Sequence, residues 1–140
     1  MNGFLLDTNV ISELVKPRPN AGVTKWISSV EEESLYLSVL TFGEIRKGIN
    51  LLPANARRAS LESWLERDLV IRFAGRILPI DREVADRWGQ ISAEISIKKK
   101  VLPVIDGLIA ATALERNLTA VTRNSGDIEL TKVPVLNPWS

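Results

Sequence analysis

The sequence predicts an α/β fold, a three-layer sandwich in which a mostly parallel central sheet is flanked by helices on both faces. Three observations predict it. Short apolar runs of strand length alternate with longer stretches of helical periodicity along the whole chain. The chain has 140 residues, 45% hydrophobic and 25% charged, the size and balance of one packed core. It contains no internal repeat, no low-complexity tract and no linker long enough to divide it, so residues 1–140 are expected to form a single domain.

The elements follow in order. Phe4-Leu5-Leu6 is an apolar run ending at Asp7 and reads as a buried strand. Val10 to Val15 reads as a helix stopped by Lys16-Pro17-Arg18-Pro19. Val23, Trp26, Ile27 and Val30 share one helical face. Leu35 to Val39 is a strand, and Thr41 opens a helix to about Leu51. After Pro53, the spacing of Leu61, Trp64, Leu65 and Leu69 predicts a helix from Ala54 to about Phe73. Ile77 to Ile80 reads as a short strand, where Pro79 argues for an edge or an irregular end. Asp81 caps a helix with core stripe Val84, Trp88, Ile91 and Ile95, closed by Lys98-Lys99-Lys100 at its negative dipole end. Pro103 starts another helix, reaching about Arg116. Thr119 to Thr122 is a fourth strand and Val133 to Leu136 a fifth.

Composition then narrows the chemistry. No apolar run approaches the ~20 residues that span a bilayer. The first four residues, Met1-Asn2-Gly3-Phe4, lack the basic and apolar regions of a signal peptide. With no cysteine, disulfides and thiolate zinc sites are excluded, and a cytoplasmic location is expected. Histidine is absent too, which removes the usual general base, the Ser–His and Cys–His couples and imidazole metal ligands. Hydrolysis would have to run on carboxylates, lysine, hydroxyls or an oxygen-held metal, and such sites suit Mg²⁺ or Mn²⁺. A net charge of +1 permits nucleic-acid binding without demanding it.

Ligands of such sheets bind beyond the carboxyl ends of the strands. Asp7 follows the first strand, and Glu44 lies in the first turn of the helix after the second. Asp106 lies in the first turn of the helix from Pro103, and Asn124 and Asp127 follow the fourth strand. Each acid has a purely structural explanation. Asp7 can cap a helix, Thr41-Phe42-Gly43-Glu44 fits a capping box, Asp106 gains from a helix dipole, and Asp127 fits turn chemistry beside Gly126. Together they are harder to dismiss, because gathered carboxylates repel by about 4 kcal/mol per close pair near a surface. A divalent cation held by oxygen resolves this most simply, and a protonated acid is the alternative. Ala110, Ala111 and Ala113 give the third acid's helix small faces for close packing.

At these residues the sequence resembles the PIN-domain family. Leu5-Leu6-Asp7-Thr8-Asn9-Val10-Ile11-Ser12-Glu13 resembles its first acidic motif, and Ser38 to Gly48, containing Thr41-Phe42-Gly43-Glu44, the second. Asp106 to Ala113 resembles the third, and Thr122-Arg123-Asn124-Ser125-Gly126-Asp127 is similar to the fourth. Asn137-Pro138-Trp139 looks like the ending of the FitB branch of VapC-like toxins. One departure is Ile128, where many relatives carry Phe.

The resemblance implies a PIN fold and metal-site roles for Asp7, Glu44, Asp106 and Asp127, with Mg²⁺ or Mn²⁺ as cofactor. Asp7 and Asp106 are the expected core ligands, and Glu44 a ligand or base. Asp127 is expected at a second ion, directly or through water. Thr8, Asn9, Thr41, Thr122 and Asn124 are expected to orient the carboxylates. The expected reaction is hydrolysis of an RNA phosphodiester, neutralised by a cognate antitoxin in a system that meets operator DNA only through that antitoxin. A homodimer without membrane association is implied as well. Arg46, Lys47, Arg123 and Lys98 to Lys100 are candidates for backbone contact with nucleic acid, although the lysine run also fits a solvated helix end. Trp26, Trp64 and Trp88 fall in apolar stripes and read as packing residues. Two rivals stay open. A haloacid-dehalogenase-like phosphatase would want an acid two residues after Asp7, where Asn9 stands. A non-catalytic binding module would carry its acids only as caps.

Overall fold

A computed structural model describes residues 3–140 and carries one five-stranded sheet. The strands are β1 (Gly3–Leu6), β2 (Leu35–Ser38), β3 (Ile77–Leu78), β4 (Leu118–Val121) and β5 (Val135–Leu136). They lie in the order β3-β2-β1-β4-β5, and all four pairings are parallel. The expected sandwich is present, and β3 occupies an edge, as Pro79 requires. Pairing of Leu6 with Val121 sets the carboxyl ends of β1 and β4 side by side. The strand order reverses direction at this junction, which is where open parallel sheets leave a crevice.

Alternation along β1 sorts side chains between the faces. Leu6, Leu35, Leu37 and Val121 pack on α1 (Thr8–Leu14), α2 (Ala21–Ser29) and α3 (Val39–Asn50). The same layer holds α4 (Ala56–Ser63), a π-helical turn (Trp64–Leu69) and α5 (Val70–Arg72), which replace the single helix expected over 54–73. Leu5, Leu118 and Ala120 point the other way, onto α7 (Val104–Glu115) and α8 (Ser125–Glu129). There α6 (Arg82–Ile97) covers α7 through Val84, Ile91, Ile95 and Ala111. Ala110, Ala111 and Ala113 are fully buried, the close approach that small side chains permit. Trp26, Trp64 and Trp88 each pack on a hydrophobic cluster, as their stripes predict, and Trp26 meets Phe4 edge-to-face at 5.1 Å.

One helix start needs correction. Thr41 does not open α3, and Thr41 to Glu44 is not a capping box. Ser38 is the cap, its Oγ accepting from the Leu40 N–H at 3.1 Å, so the helix begins at Val39. The physical reason is that a strand ending on serine already carries a strong N-cap. Thr41 is therefore buried inside the helix, and Glu44 sits in its second turn instead of its first. The segment read as turn chemistry around Asp127 forms the short helix α8, with Asp127 in its first turn.

Candidate active site

The parallel register brings the loops after β1, β2 and β4 to one edge of the sheet. Asp7 lies at the centre and is 5% exposed, low enough that its carboxylate must be hydrogen-bonded. Its Oδ1 caps α1 by accepting from the Thr8 N–H at 2.7 Å. Its Oδ2 accepts from the Thr122 hydroxyl at 2.8 Å and from the Asn9 amide at 3.4 Å. Asp7 is thus a cap, but capping accounts for only one of its two oxygens.

Around Asp7 the expected orienting residues form a closed network. The Asn9 amide also donates to Thr122 Oγ1 at 3.2 Å, while its Oδ1 accepts from the Arg123 N–H at 3.4 Å. Thr122 Oγ1 further accepts from the Asn124 backbone N–H at 3.0 Å, so Asn124 joins through its main chain. On the opposite side the Thr8 hydroxyl donates to Glu44 Oε1 and lies 3.2 Å from Thr41 Oγ1. Among the described residues no buried side-chain polar atom lacks a partner. Asp7 and Glu44 are consequently bridged through adjacent residues of one helical turn.

Asp106 lies in the first turn of α7, where the helix dipole favours an anion by about 0.3–1 kcal/mol. Opposing effects win. Burial first, then the negative charges of Asp7, Asp127 and Glu44, push its carboxyl up from 3.8 to about 6. The other three predicted acids therefore all act electrostatically on Asp106. Asp127 is exposed, whereas Glu44 and Asp106 are half-buried. Among the described residues no three carboxylates meet as a closed metal-ligand group. Their donor set is all oxygen and all anionic, which matches a hard divalent cation and no softer metal.

The cations separate into two groups. Arg46 is committed to Glu66 at 2.9 Å and Glu62 at 3.7 Å, tying α3 to α4 and the π-helical turn. Lys47 is exposed, and neither it nor Arg123 forms an ion pair with a described residue. The Arg123 guanidinium instead lies 5.6 Å over the ring of Trp139. Lys98 to Lys100 are exposed at the end of α6. Sequence reasoning missed the Arg123–Trp139 stack, since residues 123 and 139 belong to no common motif or periodicity. It also missed an apolar cavity of about 170 Å³ beside Glu44, lined by Thr8, Ser12, Ile45, Ile49 and Trp64.

A parallel sheet whose central carboxyl edge gathers three further acids with a buried aspartate is the frame of a PIN domain. The PIN domain family matches residues 4–133, and the chain belongs to it. It is 43% identical over 136 residues to Toxin FitB of Neisseria gonorrhoeae (strain ATCC 700825 / FA 1090), covering 97% of this chain and 98% of that one. It is 38% identical over 136 residues to the VapC ribonuclease Y4jK of Sinorhizobium fredii (strain NBRC 101917 / NGR234), covering 97% of each. The solved structure of FitAB bound to an IR36 DNA fragment superposes with a TM-score of 0.92 at 41% identity, covering 98% of this chain and 96% of that one.

Proposed function

We propose that the chain is the toxin of a toxin–antitoxin pair, a single-domain endoribonuclease that uses Mg²⁺ or Mn²⁺. One observation carries the reading: the Asp106 carboxyl is held at about 6 by burial and by the charges of Asp7, Asp127 and Glu44. Three acids that raise the cost of ionising a fourth are what a dication relieves. The ribonuclease and toxin assignments draw on the relatives named VapC ribonuclease and Toxin FitB.

In this reading Asp7 and Asp106 hold the cation. A divalent ion bound there supplies Lewis-acid chemistry to a water and to the phosphoryl oxygens. Glu44, fixed by Thr8, either shares the ion or accepts the proton of the attacking water. Asp127 would serve a second ion, directly or through water, and that ion would favour the leaving group. Thr122 and Asn9 hold the Asp7 carboxylate in one orientation, so binding does not first have to order it. The apolar cavity beside Glu44 suits a segment of an antitoxin that covers the site. We read the toxin as a homodimer in the cytoplasm and the antitoxin as the DNA-binding part, a division in keeping with the relative solved as FitAB bound to DNA. Among the described residues no helix is long and apolar enough to cross a membrane. A phosphatase of the haloacid dehalogenase type would need an acid at position 9, where Asn9 carries an amide that cannot serve as an acid or base.

The test is cleavage of RNA with Mg²⁺, Mn²⁺ or EDTA by wild type, Asp7→Asn and Asp106→Asn. Metal-dependent cleavage lost in both variants, with 5′-phosphate products, is expected. Products ending in 2′,3′-cyclic phosphates would sink the water-attack mechanism, and metal-independent cleavage the carboxylate site.

A further inference from the structure

We propose that Trp139 is a positioning residue for nucleic acid: its indole holds the Arg123 guanidinium at the rim of the acidic site, where it meets a phosphate of the bound strand. The choice of RNA as ligand rests on the ribonuclease reading above.

Arg123 follows Thr122, the residue whose hydroxyl donates to Asp7, and its own N–H donates to Asn9. Its backbone is therefore part of the site, while its side chain is exposed and pairs with no described carboxylate. Glu13 is the acid nearby; hydrogen bonds from Lys16 and the Asn20 N–H hold its carboxyl below the usual range, and the Arg123 charge adds the least. Both Glu13 oxygens are nonetheless occupied, one by Lys16 Nζ at 2.9 Å and the other by the Asn20 N–H at 2.8 Å. The guanidinium donors stay available.

Trp139 is itself fixed. It is half-buried against the cluster containing Leu6 and Val10, and its backbone N–H donates to Asn137 Oδ1 at 3.0 Å. The next residue is pinned as well, because the Ser140 N–H donates to Asn20 Oδ1 at 3.1 Å. Asn20 in turn caps α2. An arginine lying 5.6 Å over an indole is within cation–π range and keeps its in-plane N–H groups facing outward. That fork matches phosphate oxygens, and stacking it beforehand removes part of the ordering cost of binding.

The experiment is fluorescence anisotropy of a fluorescein-labelled single-stranded RNA in Ca²⁺ at several salt concentrations, with cleavage followed separately in Mg²⁺ and Mn²⁺. Arg123→Ala and Trp139→Leu are each expected to weaken binding about five- to tenfold. Each should also lower the log–log salt slope by about 0.7, the share of one phosphate on a single strand. The double variant should bind no more weakly than Arg123→Ala, and Trp139→Phe, which keeps an aromatic face, should restore most of the affinity. An unchanged salt slope in Trp139→Leu, or losses that add in the double variant, would overturn the proposal. Trp139→Phe and the exposed Arg123→Ala carry the test if Trp139→Leu does not fold. RNA cleaved by a protein whose binding ignores both substitutions overturns this proposal alone. RNA bound through both residues but cleaved with neither metal overturns the ribonuclease reading alone, and RNA neither bound nor cleaved overturns both.

Discussion

The Asp106 carboxyl sets a pH dependence whose sign follows from its causes. Burial and three neighbouring negative charges raise it to about 6 in the folded chain, against 3.8 ordinarily. Between those values the folded state binds more protons than the unfolded one, so stability falls as pH rises from about 4 to about 6. Asp106→Asn should therefore raise stability in EDTA above pH 6 by roughly 1–2 kcal/mol, allowing for solvent screening, and the gain should vanish below pH 4. With millimolar Mg²⁺ or Mn²⁺ the order should reverse, the wild type gaining in melting temperature and the variant not. Thermal unfolding across pH, with and without metal, measures both. Thr122→Val tests the other half of the site. It removes the hydroxyl that donates to Asp7 Oδ2 and should cost about 1–3 kcal/mol in urea unfolding, because that carboxylate is buried. A loss below a few tenths of a kcal/mol would mean that water replaces the hydroxyl without penalty.

Among the elements, the two glycines at positions 22 and 89 make opposite forecasts. A Cβ at Gly22 would stand 2.5 Å from the Pro138 carbonyl oxygen and 2.7 Å from the Ser140 N, both backbone atoms that cannot swing aside. Gly22→Ala should push residues 137–140 off α2 and raise amide exchange at Trp139 and Ser140. Gly89 lies within α6 with open space around it, so Gly89→Ala should stabilise by about 0.5–1 kcal/mol in the same unfolding assay. The elements also explain how far the chain could be read from its residues. Runs such as Phe4 to Leu6 and stripes such as Val84 to Ile95 are long or periodic enough to name their own structure. The start of α3 was not, because Ser38 and Thr41 are both competent caps and only the end of β2 decides between them. Asp7 and Asp106 could be assigned to one edge because parallel strands share a direction. The Arg123–Trp139 stack could not be, since it depends on where a segment lacking any regular pattern comes to rest.

At the scale of the molecule, the sheet order matters more than its length. β1 is central, and its two neighbours come from opposite parts of the chain: β2 begins at Leu35 and β4 only at Leu118. The bond from Thr122 to Asp7 closes a separation of 115 residues. The first acid thus waits for a partner made 115 residues later. At about 5–20 residues per second that interval is on the order of 10 s. During it a ribosome-bound chain has Asp7 but neither Asp106 in its helix nor the hydroxyl that orients the first carboxylate. On the proposed function, topology alone would therefore withhold nuclease activity from a nascent chain until residue 122 has joined Asp7.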